Sequence, residues 1–232
     1  RLLPKQFGNY FGKKIFEVEQ VCVGTETMNY ESYLNCRNFS FILQLLSSSI
    51  FSPIYSLTKK LGISWHDVVK KTAEKVRSED FSGKFKDLYN QFCEESEGEL
   101  FDTPEKAIEF YQKDENYKLL LEGEVGENLL GKYGAKGFFV YKDVVQTLFE
   151  VIKNNFNHNF NKDFIEILDA SEKWLKNLYM IEEIMYKENP DCNEIHKIEL
   201  NFDFPEWIKN QDKPIEKYKS NSIYEIKLNK EK

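Results

Sequence analysis

From Lys13 to Val23 apolar and polar residues trade places with a period of two. Ile15, Glu17, Glu19 and Val21 share one parity, and Phe16, Val18, Gln20 and Cys22 the other. That mixed alternation predicts one or two short strands with one partly wet face, preceded by glycine turns at Gly8 and Gly12. At Tyr30 the period lengthens. Tyr33, Leu34, Arg37, Phe41, Leu45 and Leu46 recur at three and four residues, which predicts a helix that stops at the serines 47 to 49.

Helical texture then persists to about Lys187. A short helix holds Pro53 in its first turn and ends at Gly62. The next opens with Ser64 and Asp67 at capping-box spacing. Another carries Phe85, Leu88, Tyr89 and Phe92 and runs into the acidic stretch EESEGE. Asp102 or Thr103, followed by Pro104 and Glu105, marks a further start. Gly131, Gly134 and Gly137 are expected to break the following stretch into two helices. A long helix runs from about Asp163 to Lys187, and Asn189-Pro190-Asp191 ends it.

After Pro190 alternation returns. The expected strands are residues 15–23, 195–203 and 223–228. The fold class is therefore α+β and predominantly helical, a multi-helix body whose small sheet joins N-terminal to C-terminal strands. With no linker in the helical texture, residues 1–232 count as one domain. Residues 1–29 are its first strand segment, 30–187 the helical body and 188–232 the last strand segment and tail. Leu45, Phe149, Trp174 and Leu178 fall on apolar stripes and are expected in the core.

Charge narrows the partners. The net charge is -7, with acids and bases interspersed. A general nucleic-acid binder needs a clustered basic face, so that class is disfavoured. No apolar run approaches the ~20 residues of a membrane span, and no signal-peptide pattern opens the chain. A cytoplasmic location is expected. The cysteines at 22, 36, 93 and 192 are dispersed, and only His66, His158 and His196 could join them. No zinc or iron–sulfur pattern results, and the expectation is reduced thiols acting as small core hydrophobes.

Candidate chemistry is sparse. The glycine triplet fits neither a Walker loop nor a dinucleotide fingerprint. His66 reads as an exposed first-turn residue, His158 as a loop residue and His196 as part of a strand. The acidic pairs Glu94-Glu95, Glu97-Glu99 and Glu182-Glu183 read as solvated helix faces, because paired carboxylates act only when they converge. The tyrosines at 30, 33, 55, 111, 133 and 141 are candidates for a pocket lining or for the core. No nucleophile–base pair can be assembled.

The first sixty residues carry a resemblance. Arg1-Leu2-Leu3-Pro4 leads to a turn bracketed by Gly8 and Gly12. A strand then ends in Thr25-Glu26-Thr27-Met28, and Tyr30, Tyr33 and Arg37 open a helix. This order resembles the region that follows the barrel in cobalamin-dependent radical S-adenosylmethionine proteins. The family's Cys-x-x-x-Cys-x-x-Cys and Asp-x-His-x-x-Gly motifs are absent here, and both lie upstream in the family. The resemblance implies a catalytically inert accessory domain, with no catalytic, metal or cofactor-binding residue of its own. S-adenosylmethionine, a 4Fe-4S cluster and cobalamin would belong to the parent, whose barrel and cobalamin-binding domain would be the partners. Thr25, Thr27, Tyr30, Tyr33 and Arg37 would then face that interface or the substrate; otherwise they form a capped helix corner with Arg37 snorkelling. The rival reading is a stand-alone helical interaction module.

Overall fold

The computed structural model describes residues 2–126, 128–156, 162–178, 195–210 and 213–227. Helices dominate, as the change of hydrophobic period at Tyr30 requires. The chain packs into two compact units, residues 1–44 with 87–134 and residues 45–86 with 135–232. It passes from one to the other three times, each time inside a helix, so no Pro- or Gly-rich linker marks the crossing.

In the first unit, β1 (Leu2–Tyr10) and β2 (Lys13–Gln20) form an antiparallel hairpin. Tyr10 pairs with Lys13, which leaves Phe11 and Gly12 as a two-residue loop. Both have positive φ, 50° and 81°, the conformation that matches the twist of the flanking strands. Gly12 thus turns the chain as expected, whereas Gly8 pairs with Ile15 inside β1. The register slips between Pro4 and Gln6, a bulge at Lys5. That bulge, Pro4 and Gly8 hide β1 from a period-two reading.

Helix α1 (Tyr30–Leu46) follows the hairpin. After α2 (Ser52–Lys60) and α3 (Trp65–Arg77), the first unit resumes in α4 (Lys84–Gly98). It continues through α5 (Pro104–Gln112), α6 (Asp114–Leu121) and the start of α7 (Leu129–Lys136). Thr103 caps α5 by accepting from the Lys106 N–H at 3.3 Å, with Pro104 in the first turn. The hairpin packs on α5 and α6 through rings. Phe16 lies 6.1 Å from Tyr111 and 5.8 Å from Tyr117, and Phe7 meets Tyr117 edge-on at 6.0 Å. Around α1 and α4, Phe41 stacks on Phe92 at 4.5 Å, and Tyr133 sets its edge against both.

The second unit contains α2, α3, a 3₁₀ turn at Gly137–Val140, α8 (Tyr141–Asn155) and α9 (Lys162–Leu178). β3 (Ile195–Phe202), α10 (Phe204–Lys209) and β4 (Lys219–Lys227) complete it. Ser64 caps α3 by accepting from the Asp67 N–H at 3.3 Å, and Gly62 ends the preceding turn at φ 69°. The core of this unit includes Leu45, Phe149 and Trp174, as expected, whereas Leu178 is only half-buried. Trp174 stacks on Phe204 at 5.3 Å. Gly137 is placed by contact, because a Cβ there would lie 2.3 Å from Leu45 Cδ1.

The expected joining of the two chain ends in one sheet is not what forms. β1 pairs with β2 and β3 with β4, in two separate two-stranded sheets among the described residues. Local closure explains this: a two-residue turn joins one pair, and the short segment around α10 joins the other. The expected strand at 195–203 is β3, and the one at 223–228 begins earlier, at Lys219, with residue 228 outside the described residues. The helix end at 179–191 also lies outside them.

Candidate functional site

The corner before α1 satisfies itself. Thr25 Oγ1 accepts from the N–H groups of Met28 (3.1 Å) and Thr27 (3.3 Å), and the Thr25 N–H donates to Met28 O at 2.8 Å. Asn29 Oδ1 accepts from the Ser32 N–H at 2.8 Å, so Asn29 is the helix cap. Thr25 and Thr27 are exposed, and the Thr25 oxygen is engaged within the turn. Those two residues therefore make the corner.

The other three residues of the set line up on one face of α1. Tyr30, Tyr33 and Arg37 are spaced three and four apart, which stacks them along the helix. The Tyr30 and Tyr33 rings lie 6.3 Å apart and 13° from parallel. Arg37 Nη1 donates to Tyr33 Oη at 3.4 Å, and Arg37 Nη2 donates to the carboxylate of Glu99, just beyond α4. Arg37 and Glu99 expose 20% and 8% of their side chains, so this pair is largely withdrawn from water.

A second ion pair sits one turn back along α4. Lys132 Nζ donates to Glu95 Oε1 at 2.7 Å and to Glu124 O at 2.6 Å, while Tyr133 Oη donates to Glu95 Oε2 at 2.8 Å. Burial lifts the Glu99 carboxyl above the ordinary glutamate range, and Arg37 only partly offsets that. Burial, with the Glu99 charge nearby, pushes the Tyr111 hydroxyl up to about 12. Burial and the bond to Glu95 raise Tyr133 as well. The acidic run is thus split. Glu94 and Glu97 are exposed as expected, but Glu95 and Glu99 turn inward to basic partners on other helices.

An open cleft of about 480 Å³ adjoins Arg37. Tyr33, Cys36, Arg37 and Ser40 form its α1 wall, Glu99 lies at one side, and Gly126, Asn128, Leu129 and Leu130 close it where α7 begins. Asn128 caps α7 by accepting from the Gly131 N–H at 3.3 Å. Ser40 donates to Cys36 O at 2.8 Å, so its oxygen is left as an acceptor. Among the six tyrosines, Tyr33 alone lines this cleft; Tyr111, Tyr133 and Tyr141 are core residues and Tyr55 is exposed. Asn128, Leu129 and Leu130 carry no functional signature in the sequence. Neither Cys36 nor Ser40 stands out there as a site residue, although a count of three and seven positions from Tyr33 along the same helix face reaches them.

Among the described residues that line the cleft there is no histidine, the Glu99 carboxylate is tied to Arg37, and the Ser40 hydroxyl donates to a backbone carbonyl rather than to a base. The thiols depart from expectation: Cys22 and Cys36 are exposed and Cys93 half-buried, so they are not small core residues. Cys22 lies just beyond the end of β2, and Cys36 lies at an exposed position of α1. Among the described lining residues, one thiol and one paired carboxylate do not fit an iron–sulfur cluster, which takes several thiolates. Among the described residues no group of three or more His, Cys, Asp or Glu could hold a metal ion. His66 is exposed at the start of α3, and His158, Cys192, Glu182 and Glu183 lie outside the described residues. Gly131 and Gly134 lie inside α7 rather than in a phosphate loop, and Gly137 opens the 3₁₀ turn that separates α7 from α8.

The second unit holds a smaller polar hollow of about 230 Å³, lined by Asp80, Ser82, Asp143, Gln146 and Glu150. Burial pushes Glu150 up, but bonds from Gln146 and Lys75 outweigh it and leave the carboxyl below its ordinary range. No single helix among the described residues is long and apolar enough to cross a membrane. No family model matches the chain, and no curated protein or solved structure is significantly similar to it.

Proposed function

We propose that this chain is a non-catalytic accessory domain of a cobalamin-binding radical S-adenosylmethionine enzyme, with its α1 cleft shaping the substrate site. One observation carries the reading. Tyr33 and Arg37, two residues of the motif that carries the resemblance, line the same cleft. The cleft offers hydrogen-bonding groups and apolar surface without a nucleophile–base pair, as a wall of an active site would. The parent's barrel and cobalamin-binding domain would be its partners and would hold the cluster, S-adenosylmethionine and cobalamin. A cytoplasmic location goes with that role.

The test is made on the full-length protein. Tyr33→Ala and Arg37→Gln are expected to lower substrate turnover while iron content stays at the wild-type level. Unchanged turnover in both variants would remove the cleft from the substrate site.

A stand-alone interaction module is the second reading, and one feature favours it. Phe11, at the hairpin tip, is fully exposed and holds a positive φ of 50°, while Tyr10 beside it is 60% exposed. A phenylalanine is costly in that conformation, which suits Asn or Gly. A binding partner that buried the ring would offset the cost.

A further inference from the structure

Toward its turn the β1–β2 hairpin presents its side chains in layers. Outermost is Phe11, fully exposed at a positive φ. Tyr10 comes next, and a Cβ at Gly8 would lie 2.7 Å from its Cε2. The Tyr10 ring therefore lies across Gly8 on the wet face, beside Ile15, the partner of Gly8. Ile15 is itself 51% exposed, so the apolar end of the hairpin is broad.

Charge is ordered along the same axis. Lys13, exposed and paired with Tyr10, is the first charge behind the rings along either strand. Lys14 donates to Asp114 and to Gln112 O, both at 2.6 Å, which anchors the hairpin just below its tip. Glu17 and Glu19 share the wet face with Lys13 but lie about 13 Å or more behind it at the rise of a strand. That exceeds the ~10 Å over which charges are felt in 0.1 M salt. Residues 1–16 hold four basic residues and no acidic one, in a chain whose net charge is -7.

Rings first, a cation next and acids farthest back follow the layers of an anionic bilayer: hydrocarbon, phosphate headgroups, then water. Taking the tip as a contact surface, as the interaction-module reading does, we infer that it docks on an anionic lipid bilayer. Phe11 and Tyr10 reach the acyl boundary and Lys13 stays among the headgroups. Shallow insertion also keeps the backbone groups of Phe11 and Gly12 in the hydrated headgroup zone, where water satisfies them. The left-handed backbone of Phe11 then has a use, because it sets a large apolar ring at the extreme of the turn.

The test is co-sedimentation of the full chain with two kinds of vesicle, phosphatidylcholine alone and phosphatidylcholine with about one-third phosphatidylserine. Binding to the anionic vesicles is expected, weaker in high salt and weaker still without phosphatidylserine. Phe11→Asn suits the left-handed turn better and so keeps the fold, yet it should weaken that binding by about tenfold or more. Lys13→Gln should weaken it by about fivefold. Equal binding to both vesicles would overturn the anionic assignment. Phe11→Asn that bound as well as wild type would remove the tip as a contact surface altogether. If wild type binds neither vesicle, the bilayer is the wrong partner. A photoreactive phenylalanine analogue at position 11 then separates the two failures: capture of a protein keeps the tip as a contact surface, and no capture removes that as well.

Discussion

The Arg37 guanidinium on α1 is paired with the Glu99 carboxylate 62 positions away, where both side chains are mostly withdrawn from water. Removing one partner of such a pair strands the other charge in a poor solvent. A fully buried pair loses about 3–5 kcal/mol in that way. Because Arg37 keeps 20% of its side chain exposed, Arg37→Ala is expected to cost about 2–3 kcal/mol in urea unfolding. Arg37→Gln combined with Glu99→Gln should recover most of the loss. A double variant no more stable than Arg37→Ala would show that the pair is not what holds α1 to this region.

Glu99 also sets a pH dependence. Its folded pKa is raised, so its contribution is fully present below the unfolded value and is lost as pH rises through the folded value. Wild type should therefore lose stability relative to Glu99→Gln as pH rises from the ordinary glutamate range through the raised folded value. The lowered carboxyls Glu74, Asp114 and Glu150 act in the opposite sense. They are common to both proteins and cancel in the difference. A gap that stays constant with pH would contradict the burial of Glu99.

Two glycines near the same segment should respond oppositely to alanine. Gly137→Ala drives a methyl into Leu45, a buried neighbour, and should destabilise by about 1–3 kcal/mol. Gly134, inside α7, has nothing within 4 Å of its missing Cβ. Gly134→Ala should stabilise by about 0.5–1 kcal/mol through helix propensity. Thermal melts of the two variants that moved in the same direction would refute this account of the turn.

Trp174 tests the core of the second unit. It is 5% exposed and stacked on Phe204, so Trp174→Ala should cost about 3–5 kcal/mol. A loss below about 1 kcal/mol would place the ring at the surface instead.

These features differ in how far they could be read beforehand. The Ser64 and Thr103 caps and the α1 face were legible because capping and helical periodicity are local. Strand β1 was not, since Pro4 and Gly8 interrupt its alternation and Phe11 is an improbable turn residue. The pairing of strands within each chain end, rather than between ends, depends on turn closure that alternation does not encode. Glu99 looked like one more residue of a solvated acidic run. Its basic partner lies on another helix, and no local spacing announces a pair that only tertiary packing creates. Cys36 fell on a helical pattern without revealing that its own position faces solvent.

The central claim is that this chain is an accessory domain of a radical enzyme, and the most direct test is the genomic reading frame upstream of Arg1. The account predicts that it continues in frame through a Cys-x-x-x-Cys-x-x-Cys motif. A start codon immediately before Arg1 would contradict it, and the interaction-module reading would then stand in its place.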